Sequence, residues 1–134
     1  FGIISKVENV EFKTSVIQGN NFRTDKFSLK IILNNLLSNA FKYQKKNHQN
    51  KFVELDIKVE GAMAVIRVTD SGIGIHEHHL GNIFNLFFRA TTEEVGSGFG
   101  LYTVKDALLK LSGEVNVTSV HGEGSTFIVT IPNK

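Results

Sequence analysis

Asp70-Ser71-Gly72-Ile73-Gly74-Ile75 closes an alternating run, Met63-Ala64-Val65-Ile66-Arg67-Val68-Thr69, and the fold turns on how these residues are read. The alternation predicts a strand. Side chains switch faces at each residue, so Asp70 shares a face with Ala64, Ile66 and Val68. A carboxylate on an apolar face is costly unless donors reach it. Glycines follow at alternate positions and remove Cβ atoms where a flat ligand can lie against backbone. A buried acceptor beside such a wall suits a purine, whose exocyclic amino group the carboxylate would take. A turn capped by Asp70 would carry the same six letters, so the rest of the chain has to separate the two readings.

Upstream of this strand, Val53, Leu55, Ile57 and Val59 alternate with Glu54, Asp56, Lys58 and Glu60, which predicts a strand with one buried face. Glu60-Gly61 then turns the chain, so the two strands form an antiparallel hairpin. Downstream, Val115 and Val117, then Phe127, Val129 and Ile131, mark two closing strands around Val120-His121-Gly122-Glu123-Gly124, and Pro132 ends the pattern. Near the start, Phe12 to Ile17 and Phe22 to Thr24 read as short strands around the hairpin composition Gln18-Gly19-Asn20-Asn21.

Two long helices complete the pattern. The first has Asp25 or Ser28 as its cap, runs to about Lys45, and carries Leu29, Ile32, Leu33, Leu36 and Ala40 as its apolar stripe. The second carries Leu101, Val104, Leu108 and Leu111 on one face. His76 to Ile83 suits a short third helix, and Ala90 to Gly98 lacks apolar periodicity and reads as a mobile loop. Half-buried strands and striped helices together predict an α/β (α+β) two-layer sandwich, a mixed and mostly antiparallel sheet of about five strands with about three helices on one face. Residues 1–10 read as a lead-in from a preceding segment and 11–134 as one domain.

The chain has 134 residues, 41% of them hydrophobic and 21% charged, with a net charge of +2. This is ordinary for a globular protein, and the scattered cations argue against nucleic acid or anionic membrane as partners. Cysteine is absent, which excludes disulfides and thiolate metal sites and fits a reducing compartment. No run approaches the ~18 apolar residues of a membrane span, and no signal peptide is visible. The chain opens on Phe1 rather than Met, so a longer parent is expected.

Two further features point to a ligand. On the first helix Asn35, Asn39 and Lys42 line up beside the apolar stripe at steps of four and three. Asn is a poor helix former, and polar amides at the edge of a buried face suit a cleft better than open surface. Gly96-Ser97-Gly98-Phe99-Gly100 runs directly into the second helix, leaving unpaired N–H groups and a positive dipole end, a ready phosphate site.

In this order the features resemble the ATP-binding catalytic domain of sensor histidine kinases, within the wider group that includes DNA gyrase and the heat-shock chaperone ATPases. The resemblance rests on Asn35-Leu36-Leu37-Ser38-Asn39-Ala40-Phe41-Lys42-Tyr43, on Asp70 to Ile75, on Phe84 to Arg89, and on Gly96-Ser97-Gly98-Phe99-Gly100-Leu101 trailed by Gly122-Glu123-Gly124-Ser125-Thr126-Phe127. It covers nearly the whole chain and implies a Bergerat-type fold binding ATP and Mg²⁺. By this similarity Asp70 accepts the adenine amino group, with Thr126 nearby through water. Gly72, Gly74 and Ile75 shape the base pocket, and Tyr43 lies near the adenine ring. Asn39 holds Mg²⁺, with Asn35 as a second candidate contact. Lys42 and Arg89 meet the phosphates, and the backbone of Gly96, Ser97, Gly98, Gly100 and Leu101 cradles them. Ala90 to Val95 corresponds to a lid, although here it carries Thr91-Thr92-Glu93-Glu94, whose carboxylates would repel a triphosphate unless turned away.

Position 35 bears on the reaction. ATPase members of the group carry a water-activating Glu four residues before the metal Asn, and Asn35 cannot take up a proton at neutral pH. The resemblance therefore implies phosphoryl transfer to a histidine on a separate helical dimerisation domain, with Asn35, Lys42 and Arg89 the residues closest to the chemistry. A downstream response-regulator receiver would be the second partner. The expected location is cytoplasmic, with any inner-membrane anchor in the parent outside this chain. His76-Glu77 resembles an acceptor dipeptide but follows the base-binding glycines directly; His78, His79 and His121 read as surface residues. A stand-alone ATPase or serine kinase of the same group, and a degenerate docking module, are the competing readings.

Overall fold

A computed structural model describes residues 10–44, 50–85 and 100–134. Five strands form one sheet: β1 (Val10–Gln18), β2 (Lys51–Glu60), β3 (Met63–Asp70), β4 (Glu114–Val120) and β5 (Gly124–Pro132), in the order β1-β2-β3-β5-β4. Two helices, α1 (Lys26–Lys42) and α2 (Gly100–Leu111), complete the described elements with a single 3₁₀ turn, Glu77–His79. All strand pairs are antiparallel except β1 with β2, which are parallel.

The predicted β2–β3 and β4–β5 hairpins are present. The predicted first hairpin is not. Parallel neighbours require a crossover, and β1 pairs in parallel with β2, so the chain after Gln18 must climb to the helix layer. Gly19 N–H donates to the Val59 carbonyl at 2.8 Å, and the Asn20 amide clamps the β2–β3 turn through both polar atoms of Gly61, at 2.9 and 3.1 Å. Phe22 to Thr24 forms no strand. It runs beside the C-terminus, where Arg23 N–H donates to Asn133 Oδ1 at 2.8 Å and the Lys134 N–H donates to Arg23 O at 3.0 Å.

Asp25 caps α1, accepting from Ser28 N–H at 3.3 Å and from its hydroxyl at 2.6 Å. The helix ends at Lys42, earlier than the composition suggests. The buried stripe is Ile32, Leu36 and Ala40 together with Leu37 and Phe41, while Leu29 and Leu33 are half-buried at its edge. The stripe is wide because α1 faces both the sheet and α2. In α2, Val104, Ala107, Leu108 and Leu111 are buried. They meet Val53, Leu55, Ile66, Val68, Phe127 and Val129 from the sheet in one core. His76 to Ile83 gives only the 3₁₀ turn instead of a third helix, since Gly81 interrupts the segment and Ile83 is its one fully buried side chain among the described residues.

Leu36 is almost fully enclosed and Phe27, on the same helix, is 72% exposed. Leu36→Ala is expected to cost about 2–5 kcal/mol in urea unfolding, whereas Phe27→Ala should change stability by less than about 0.5 kcal/mol. Equal effects would contradict the assignment of the buried face.

Candidate functional site

Asp70 is the last residue of β3 and sits on the helix-facing side, in line with the buried Ala64, Ile66 and Val68. The Gly72 N–H donates to its Oδ1 at 2.8 Å, and the Ser125 N–H also stabilises the ionised form. Burial nevertheless wins and pushes the carboxyl up to about 6. The sheet ladder ends in the same place, because Ser71 offers its hydroxyl to the Phe52 N–H at 2.8 Å where a strand would offer a carbonyl. Residues 72–75 leave the sheet here.

The departing loop is held on both sides. Ile73 N–H donates to Tyr43 O at 2.9 Å, and a Cβ on Gly72 would lie 2.4 Å from that same carbonyl. Only glycine permits such an approach. Gly74 has φ +70° and packs against Val120, while Ile75 N–H donates to Ser119 Oγ at 2.7 Å and Gly122 N–H to Ile73 O at 2.7 Å. The glycine loop thus bridges the end of α1 and the β4–β5 hairpin.

Tyr43 closes α1, its N–H donating to Asn39 O at 3.1 Å. Asn39 therefore stands one turn back from the residue that carries the glycine loop. The Lys42 ammonium lies 5.0 Å from the Tyr43 ring centroid. Asn35 and Asn39 are half-buried and Lys42 is exposed, as a stripe at the border of the core requires. The Asn35 Nδ2 donates back to Ile31 O at 2.8 Å, which leaves its Oδ1 as the acceptor.

The end of α2 lies away from Asp70. Gly113, just past α2, lies against Thr130 near the close of β5, whereas β5 begins beside Asp70 at Ser125. Gly100 is about 17 Å back along the helix from its end. Leu101 packs on the core there. Phe84 contacts Phe127 with ring centroids 6.3 Å apart. Arg89, Gly96, Ser97, Gly98 and the lid segment 90–95 lie outside the described residues. A cavity of about 350 Å³ beside Lys105, Leu109 and Asn116 belongs to the far half of α2 and not to this cluster.

Thr126 requires a correction. It pairs with Thr69, and its hydroxyl donates to Thr69 Oγ1 at 3.4 Å on the outer face of the sheet, opposite Asp70. The residue on the face of Asp70 is its cross-strand partner Ser125, which is buried. Period-two parity counted back from the core residue Phe127 would have identified it. Gln44 and Ser119 were also missed: the bonds that tie them to the glycine loop, from the Ser71 hydroxyl to Gln44 Oε1 and from the Ile75 N–H to Ser119 Oγ, join residues distant in sequence. The histidines are less scattered than they read: His76 stacks on His121 with centroids 3.6 Å apart, and His78 lies 5.1 Å from His76. Loss of water, then the charges of His121, His78 and His79, lower the pKa of His76.

Helices on one face of a mixed sheet, with a carboxylate–glycine loop under the end of α1, define the ATPase-type domain of histidine kinases. Residues 24–134 match the family model of histidine kinase-, DNA gyrase B-, and HSP90-like ATPases, and the chain belongs to that family. The autoinducer 2 sensor kinase/phosphatase LuxQ of Vibrio cholerae is 42% identical over 118 residues, 82% of this chain and 13% of its own length. The aerobic respiration control sensor ArcB of Escherichia coli is 36% identical over 113 residues, 81% of this chain and 14% of its own. The chain thus spans a small fraction of these relatives. Among solved structures, the mycobacterial sensor histidine kinase MprB shares the fold, with a TM-score of 0.81 at 24% identity over 99% of this chain and 88% of that one. Full-length ShkA, in complex with AMPPNP, has a TM-score of 0.77 at 26% identity and covers 92% of this chain and 26% of its own. No helix among the described residues is long and apolar enough to cross a membrane.

Asp70 and His76 affect stability with opposite sign. The folded Asp70 takes its proton from about pH 6, before the unfolded group does near 3.8, so it adds stability as pH falls through 6 toward 3.8. The unfolded His76 charges near 6.5 and the folded one later, so its contribution is lost as pH falls below 6.5. In urea midpoints followed from about pH 7.5 to about pH 5, Asp70→Asn is expected to steepen the acid loss of stability and His76→Gln to reduce it. Parallel pH profiles for both variants and the parent would contradict these assignments.

Proposed function

We propose that this domain binds Mg-ATP at the end of the sheet and supplies the γ-phosphoryl group to a histidine on a separate helical domain. The observation that carries the reading is the short connection from the Asp70 carboxylate, through Gly72, to Tyr43 at the end of the helix bearing Asn39. An adenine amino group would donate to Asp70, which is ionised at neutral pH, with Ser125 on the same face in the place expected of Thr126. Gly72, Gly74 and Ile75 wall the base, and Tyr43 lies at its border.

A hard cation suits a neutral amide oxygen, with phosphate oxygens and water as its other ligands. Asn39 is the residue to hold Mg²⁺, and Asn35 Oδ1 is the second candidate. When bound, the ion neutralises charge on the phosphates. Lys42, Arg89 and the backbone of Gly96, Ser97, Gly98, Gly100 and Leu101 would fix the phosphate chain, aided by the positive end of α2.

Asn35 has no basic lone pair for drawing a proton from water, so bound ATP waits for an incoming imidazole. A neutral imidazole nitrogen forms the N–P bond as the bond from the γ-phosphorus to the bridging oxygen breaks, and ADP departs with that electron pair. The domain's part is position and charge neutralisation. The parent would carry a dimerising phosphoacceptor domain, with a downstream receiver domain as final acceptor and a cytoplasmic location for this part; the small share of its sensor-kinase relatives that the chain spans supports a longer parent.

Asp70→Asn should lower ATP affinity at least tenfold, about 1.4 kcal/mol, in titration calorimetry; unchanged affinity would refute the base pocket. Mixing the chain with a cognate helical domain and Mg-ATP should yield acid-labile phosphate on that domain, with negligible hydrolysis by the chain alone. Fast hydrolysis without the helical domain would favour an ATPase instead.

A further inference from the structure

One side-chain circuit lies between the two halves of the proposed site and belongs to neither. Gln44 follows the C-cap of α1, and Ser71 follows Asp70. The Gln44 Nε2 donates to Ala40 O at 2.9 Å, a carbonyl of the last helical turn, and to Phe52 O at 3.2 Å on β2. Its Oε1 accepts from the Ser71 hydroxyl at 2.9 Å, and that hydroxyl accepts from the Phe52 N–H at 2.8 Å. Ser71 N–H completes the circuit by donating to Phe52 O at 3.2 Å.

Ser71 is only 4% exposed, and Gln44 is half-buried. Hydrogen bonds sheltered from water are stronger and more directional than exposed ones, and a closed circuit fixes geometry that a single bond does not. Three elements meet here: the end of α1, the start of β2 and the end of β3. Lys42 stands two residues and Asn39 five residues before Gln44, and Asp70 and Gly72 flank Ser71. Any rotation of α1 against the sheet end would have to break this circuit.

We infer that Gln44 and Ser71 are positioning residues, which hold the base-binding half of the site (Asp70, Gly72) in register with its metal and phosphate half (Asn39, Lys42). The inference rests on the nucleotide reading above and deepens it. A triphosphate must satisfy both halves at once, whereas adenosine needs only the first. Loosening the circuit should therefore uncouple them while leaving base recognition intact.

The test compares adenosine binding, followed by NMR shift titration, with AMPPNP binding by calorimetry with and without Mg²⁺. The variants are Gln44→Met, Ser71→Ala and Ser71→Thr, each checked for folding by its NMR spectrum. Gln44→Met and Ser71→Ala are expected to keep adenosine affinity within about twofold and to reduce the Mg²⁺-dependent gain for AMPPNP by about fivefold or more, about 1 kcal/mol. Ser71→Thr, which keeps the hydroxyl, should retain that gain. If Gln44→Met does not fold, Ser71→Ala against Ser71→Thr carries the same test. Equal weakening of adenosine and AMPPNP would reduce the circuit to a structural role, and an unchanged Mg²⁺ gain would remove even that effect on the site; either overturns the inference. The nucleotide reading fails separately, if Asp70→Asn leaves AMPPNP binding unaltered.

Discussion

The arrangement depends on one carboxylate being kept at the end of a buried strand. Asp70 occupies a position where the pleat calls for an apolar side chain, and removal from water raises its pKa toward neutrality. Donated backbone N–H groups from Gly72 and Ser125 keep it ionised at physiological pH. To supply the first of these, the chain must leave the sheet immediately after Asp70. The departure is what creates the loop, and the loop is what joins α1 to the β4–β5 hairpin.

That departure needs each exposed polar group of the sheet end to be satisfied in another way. The Ser71 hydroxyl replaces a ladder carbonyl for Phe52, and the Tyr43 carbonyl, left over at the end of α1, is taken by Ile73 N–H. Glycine at position 72 lets that approach occur. The end of the helix and the end of the strand thus satisfy each other's unpaired groups. The same hydrogen bonds that stabilise this end bring the end of α1 and the acid of β3 to a common edge.

The parallel β1–β2 pair has a related consequence. A hairpin at Gln18-Gly19-Asn20-Asn21 would have paired Phe22 to Thr24 with β1. Instead Asn20 is spent on the Gly61 turn, Asn133 on Arg23 and Asn21, and the crossover carries α1 over the sheet. The local composition was that of a turn, and the chain bends at Gly19 and Asn20, but tertiary partners decide that it does not reverse into a neighbouring strand.

Much of the molecule was legible in its letters because period-two and period-3.6 patterns report burial directly. Alternation from Val53 to Asp70 specified the central hairpin and the face of Asp70, and the helical repeat placed Asn35, Asn39 and Lys42 at the border of the core. The same parity rule also contained Ser125, although the motif drew attention to Thr126. What only tertiary structure decided was which segments meet: β1 choosing β2, His76 meeting His121, and Gln44 closing on Ser71 and Phe52. Such partnerships depend on side chains far apart in sequence satisfying one another's hydrogen bonds once the core has brought them together. Local periodicity encodes which face is buried, but not which distant group waits there.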